Sequence, residues 1–134
     1  MAGIDHLMIN ANRYEESVEF YSWLMPLVGY PEKHEYGGDD PMVGFSGAGG
    51  SLWLSNSAAN LRTDNFNKRR VGLREIAFRA ENRAQVDTVA NGVEANGGKI
   101  LDPPAEYPQY RADYYSVFFT DPDGLKLEVV TYSR

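Results

Sequence analysis

A chain of 134 residues, 43% hydrophobic and 24% charged, is long enough for one domain with a substantial core, and its globular composition excludes disordered, fibrous and low-complexity classes. A formal net charge of −6 argues against phosphate backbones and anionic lipid, and Lys68-Arg69-Arg70 is too short to form a basic face, so neither nucleic acid nor membrane is an expected partner. The absence of cysteine excludes disulfides, thiolate metal sites and a cysteine nucleophile, so any metal must be held by nitrogen and oxygen.

The N-terminal segment Met1-Ala2-Gly3-Ile4-Asp5 lacks the charged and apolar regions of a signal peptide, and no apolar run reaches membrane-spanning length; cytoplasmic residence is expected. Gly3 to Ile9 reads as a strand. Asn12 is then a candidate cap for a helix whose apolar positions Phe20, Tyr21, Leu24 and Val28 recur at helical spacing, with Pro26 and Gly29 ending it. Short strands are expected at Glu32 to Tyr36, Met42 to Ser46 and Ser51 to Ser55, separated by Gly37-Gly38-Asp39-Asp40-Pro41 and Gly47-Ala48-Gly49-Gly50.

A second copy of this order follows. Gly72-Leu73-Arg74-Glu75-Ile76-Ala77-Phe78 matches Gly3 to Ile9 at an offset of 69, which also sets Ala80 on Ala11 and Gly98 on Gly29. The helix of the second copy places Val86, Val89, Ala90 and Val93 on one face and stops at Gly97-Gly98. Strands are expected at Lys99 to Leu101, Tyr114 to Thr120 and Leu125 to Thr131, the last two joined through the turn Asp121-Pro122-Asp123-Gly124. Setting Gly124 on Gly50 needs an offset of 74, so the second copy carries extra residues, assigned to Asp102 to Asp113. The whole reads as a single α+β domain over 1–134, with repeat one at about 1–61, a connector at about 62–70 and repeat two at about 71–134.

Strand alternation sorts the chemistry. Ile4, His6 and Met8 share one face, with Leu7 and Ile9 on the other; in the repeat Leu73, Glu75, Ala77 and Arg79 share the equivalent face, with Ile76 and Phe78 turned to the helix. Glu128, between Leu127 and Val129, points the same way as Glu75. If the copies pack about a pseudo-twofold axis, His6 and Glu75 occupy equivalent places and converge, as metal ligands must. An ordinary alternative pairs Glu75 with Arg79 on the same strand. His34, flanked by Glu32, Lys33 and Glu35, fits an exposed edge strand, and Trp53 alternates away from Leu52 and Leu54 towards the core or a subunit interface. Tyr107, Tyr110, Tyr114 and Tyr115 crowd the extra segment with Arg111; some fit a pocket wall, with Arg79 or Arg111 meeting an anionic group of a small molecule. No serine lies in a nucleophile elbow.

This order of elements, with Gly72 to Phe78 and Tyr114 to Glu128, resembles the vicinal oxygen chelate superfamily of glyoxalases, bleomycin-resistance proteins, fosfomycin-resistance transferases and extradiol dioxygenases. The resemblance implies two paired β-α-β-β-β repeats forming a cupped, partly open mixed sheet with helices outside. It also implies a small-molecule ligand and a homodimer. Carried onto this chain, it makes His6 and Glu128 metal ligands and puts Glu75 where the family usually has histidine; the repeat arithmetic sets Leu54 at the fourth position. One imidazole and two carboxylates remain, a set suited to a divalent ion of open identity among Mn, Fe, Mg, Ni and Zn. The activity so implied is that of a metal-dependent lyase, isomerase, transferase or dioxygenase on a small oxygenated substrate, with Glu75 or Glu128 moving a proton and Arg79, Tyr110, Arg111 and Tyr114 binding substrate. Two alternatives stand beside it: Glu75 as a general base without metal, and a metal-free protein that sequesters a small molecule.

Overall fold

The computed structural model describes residues 2–59 and 66–134. The chain divides into two compact units, Met1–Asp64 and Asn65–Arg134. The first contains β1 (His6–Ala11), α1 (Tyr14–Leu27), β2 (Glu32–Tyr36), β3 (Met42–Gly47) and β4 (Gly50–Asn56). The second contains β5 (Ile76–Arg79), α2 (Arg83–Gly92), a short 3-10 turn, β6 (Lys99–Glu106), β7 (Tyr115–Thr120) and β8 (Lys126–Thr131). The α+β class and the duplicated β-α-β-β-β order are as expected. The end of the expected first repeat, 60–61, and the front of the expected connector, 62–65, lie outside the described residues; Lys68-Arg69-Arg70 lies in an exposed turn.

Each unit is a four-stranded mixed sheet, ordered β1-β4-β3-β2 in the first and β5-β8-β7-β6 in the second, with the first and last strands of each repeat parallel. One face of each sheet is apolar because alternate residues pack beneath the helix. In the first unit Phe20, Tyr21, Leu24 and Met25 of α1 meet Val43, Phe45, Leu52 and Leu54; in the second Val86 and Val89 of α2, with Val93, meet Val117, Phe119, Leu127 and Val129; all are buried. Burying such a side chain contributes roughly 1.5–3 kcal/mol, so each core is a major source of stability in its own unit.

Four local expectations need correction. The N-cap of α1 is Arg13, one residue beyond Asn12, and Pro26 lies inside the last turn of the helix. Strand β5 begins only at Ile76, because β8 begins at Lys126 and leaves residues 72–74 opposite a turn. That turn is fixed by Asp121, whose buried carboxylate accepts the N–H of Asp123 and of Leu125, each at 2.9 Å, while Gly124 supplies φ +89. Strand β6 runs to Glu106 with register shifts at Asp102, and the β6–β7 connection follows, so the added residues do lie in the expected segment.

The fourth correction concerns the repeat itself. Leu7 pairs with Leu52 and Ile76 with Leu127, so the offset that is 69 at the first strand is 75 at the last. The counterpart of Glu128 is therefore Trp53, not Leu54. Leu54 faces α1 and is fully buried; Trp53 lies on the helix-free face, its Nε1 donating to Ser51 Oγ at 3.1 Å, and is not in the core.

Candidate functional site

The helix-free face of the second sheet holds the principal pocket, about 530 Å³, lined by Arg74, Glu75, Asp102, Tyr107, Tyr110, Tyr114, Phe118, Lys126 and Glu128. Its floor follows from strand alternation. Glu128 pairs laterally with Ala77 of β5 and Phe118 of β7, and Lys126 lies two residues earlier on the same face. The β6–β7 connection closes into a tight turn, Tyr110 N–H and Arg111 N–H donating to the Tyr107 carbonyl at 3.0 and 3.3 Å, and hangs its tyrosines over that floor. Tyr107 stacks on Tyr110 with centroids 5.7 Å apart and meets Phe118 edge-on at 5.4 Å.

Glu128 is the most constrained polar group in the pocket, with 2% of its surface exposed. Tyr114 Oη lies 2.5 Å from its Oε1 and 2.8 Å from its Oε2, so one phenolic proton serves both oxygens. Burial pushes the Glu128 carboxyl above the ordinary range, and the Glu75 charge adds to this; the Tyr114 hydrogen bond, Lys126 and Ser116 pull the other way. Tyr114 is itself raised far above a normal phenol, by burial first and by its bond to Glu128 second. Tyr107 is raised by burial, then by Asp102. The result is a neutral hydroxyl locked onto a carboxyl poised to take a proton.

Glu75 stands just before β5 in the same pocket. Its Oε2 is buried without a hydrogen-bond partner, and the closest cation is Lys126 Nζ at 3.9 Å, which also sits 4.9 Å over the Phe118 ring. Arg79 does not pair with Glu75: its guanidinium lies 4.5 Å over the ring of Tyr132. Arg111 reaches the same ring at 4.2 Å and pairs with Asp113, so Arg79 and Arg111 gather at Tyr132 and do not line the principal pocket. Tyr110 and Tyr114 do line it. Tyr115 faces the other way, donating to Asp87 of α2 at 2.6 Å beneath the Arg83 guanidinium, a structural role. Sequence reasoning passed over Lys126, Arg74, Asp102 and Phe118; period-two spacing from Glu128 marks Lys126, while Asp102 depends on a register shift that no spacing signals.

His6 opens β1 in the first unit. Its Nδ1 lies 2.7 Å from Asp5 Oδ1, and half of its side chain is exposed. With Nδ1 as the donor in that bond, Nε2 keeps its lone pair, the tautomer in which a histidine ligates a metal or takes a proton. His34 is exposed on the edge strand β2, as expected, and stacks against Trp53 at 6.0 Å. Among the described residues no three histidine, aspartate or glutamate side chains are gathered as a metal-binding group.

Comparison with known proteins bears on the family. The chain is 29% identical over 129 residues to the uncharacterized protein YqjT of Bacillus subtilis, covering 96% of this chain and 98% of that one. A glyoxalase-like protein of Bacillus halodurans superposes with a TM-score of 0.77 at 27% identity, over 96% of this chain and 94% of the other. The fold is shared as well with a glyoxalase/bleomycin resistance protein of Albidiferax ferrireducens, TM-score 0.77 at 21% identity, over 96% and 98% of the two chains. The family model for the glyoxalase/bleomycin resistance protein/dioxygenase superfamily matches residues 3–129, and the chain belongs to that superfamily.

Proposed function

We propose that this protein is a divalent-metal-dependent enzyme of the vicinal oxygen chelate kind, acting on a small oxygenated substrate, with Glu75 and Glu128 as metal ligands in the second unit; His6, in the first, is a ligand-competent imidazole. The observation that carries this reading is the buried Oε2 of Glu75, which has no donor although it shares a pocket with Glu128. A buried carboxylate oxygen without a hydrogen bond, whose counter-charge, Lys126 Nζ, lies 3.9 Å away, costs free energy, and a bound cation would reduce that cost. The Asp5–His6 contact supports the same reading, since a carboxylate behind one ring nitrogen is how a ligating imidazole is oriented. A divalent ion, when bound, would supply Lewis acidity towards two neighbouring substrate oxygens.

The chain's own groups would do the remainder. The rings of Tyr107, Tyr110 and Phe118 would cover the substrate and exclude water. Tyr114, kept neutral by its raised pKa, would hold the Glu128 carboxyl in place through its hydroxyl, and Glu128 would hold or move a proton at that carboxyl. A homodimer goes with this reading through the family resemblance. A second reading, metal-free binding of a small molecule, is favoured by a different observation: Tyr114 already meets both oxygens of Glu128, and Lys126 already stands beside Glu75.

Metal content separates the two. Protein from metal-supplemented medium, purified without chelator, is expected to carry a stoichiometric ion by elemental analysis or to bind Mn²⁺ on calorimetric titration, and Glu75→Gln to lose it. No ion and no titration in the parent protein would overturn the metal reading; full retention in Glu75→Gln would remove Glu75 as a ligand and leave it as a base.

A further inference from the structure

Past the acidic floor, the helix-free face of the second unit changes sign. Continuing the alternation Lys126, Glu128, Val130 beyond the strand brings Tyr132 to the same face, where its ring contacts that of Tyr114 at 5.5 Å. Two guanidiniums share this one ring, Arg79 at 4.5 Å and Arg111 at 4.2 Å. Arg111 has a carboxylate, Asp113 Oδ1 at 2.8 Å from its Nε. Arg79 has none within ion-pair distance among the described residues. Beside it opens a second cavity of about 550 Å³, lined by Arg79, Ala80, Glu81, Thr131, Tyr132 and Ser133, in which Glu81 is the single acid.

A guanidinium stacked on a tyrosine uses its π-face and keeps its N–H donors in plane, oriented and unspent. Two such cations on one ring repel each other, and an anion between or beside them relieves the repulsion while taking the fork of Arg79 in a bidentate grip. We propose that the Arg79–Tyr132–Arg111 cluster is an anion subsite that takes a carboxylate or phosphate group of the ligand. Tyr132 is four residues beyond Glu128, about 13 Å along a strand, so the ligand is elongated, with its reacting end in the tyrosine-walled pocket and its charged end at Arg79. The role as a ligand's tail site rests on the pocket being the substrate site; the anion binding itself requires no metal.

The test therefore uses chelator-treated full-length protein at low ionic strength, titrated calorimetrically with inorganic phosphate and, separately, with acetate; which of the two binds decides between phosphate and carboxylate. Saturable binding of at least one is expected, weakened about tenfold or more by Arg79→Ala and less by Arg79→Lys, and unchanged by Lys99→Ala, which removes an exposed cation elsewhere on the unit. Three results would overturn the proposal: no saturable binding of either anion, equal weakening by Arg79→Ala and Lys99→Ala, or a tenfold change in Glu75→Gln, which would put the anion in the principal pocket. Because no metal is present, failure of the metal reading leaves this outcome untouched.

Discussion

The helix-free faces of the two sheets share a backbone plan and differ in where they put bulk. In the first unit β3 offers Gly44 and β4 answers with Trp53, laid across it and stacked near His34 and Tyr36. In the second the equivalent pair is Phe118 on β7 and Glu128 on β8. The large ring has moved from the fourth strand to the third, and the place it left holds a carboxylate. One duplicated unit thus became an aromatic shelf and the other a pocket, by exchanging size between two cross-strand neighbours. The longer β6–β7 connection completed the difference, since it brings Tyr107, Tyr110 and Tyr114 over the carboxylate, while the five residues between β2 and β3 bring no aromatic ring.

The strongest way to break this asymmetry is Tyr114→Phe, which leaves the ring and removes the proton shared by both Glu128 oxygens. A buried carboxylate deprived of its donor costs about 2–3 kcal/mol, measurable as a lowered denaturation midpoint. The loss has a pH signature. The folded Glu128 carboxyl lies above its ordinary 4.5, so the folded state holds the proton more tightly than the unfolded one. Its contribution is complete below that ordinary value and is lost as pH rises through the raised one. The Tyr114 bond opposes the rise, so the variant's carboxyl moves higher still and its deficit should widen as pH rises above the ordinary value. A deficit independent of pH would mean that Tyr114 acts by packing alone.

On the other sheet the matching change is Gly44→Ala. A Cβ at that position would sit 2.5 Å from Trp53 Cδ2, Cε2 and Cε3, too close for any real contact, so the indole must leave the strand. A loss of about 1–2 kcal/mol and a red-shifted tryptophan emission are expected, with Trp23 on α1 as the unchanged background. Unaltered emission would show that Trp53 does not depend on the gap.

Much of this was legible in the residues. The duplicated strand order, the helix faces, the hairpin through Asp121-Pro122-Asp123-Gly124 and the inward direction of Glu128 all follow from period and turn chemistry, because alternation decides which face a side chain takes once one face is apolar. The pairing of repeats at their last strands was not legible. Gly50 and Gly124 look equivalent, but the first hairpin turns in two residues and the second in five, which moves the register by one and exchanges Leu54 for Trp53. The gathering of Arg79 and Arg111 on Tyr132 escaped for another reason. Each lies on a different segment, and only the closure of the β6–β7 connection brings them to one ring.

The helix starts give the smallest and cleanest contrast. The offset of 69 sets Arg13 on Asn82, and the structure makes both of them N-caps. Asn82 Oδ1 accepts the Gln85 N–H at 2.9 Å, and the Gln85 side chain returns to the Glu81 N–H at 2.8 Å, close to a capping box. Arg13 makes no side-chain cap, although Glu16 already occupies the third helical position that such a box requires. Asn82→Ala should therefore cost about 1 kcal/mol, and Arg13→Ser should raise stability by a few tenths, about 0.5 kcal/mol, by completing Ser-Tyr-Glu-Glu. If Arg13→Ser destabilises the protein instead, the guanidinium contributes more to the first unit than an N-cap would, and the two helix starts differ by selection for that contact and not by drift of an unused position.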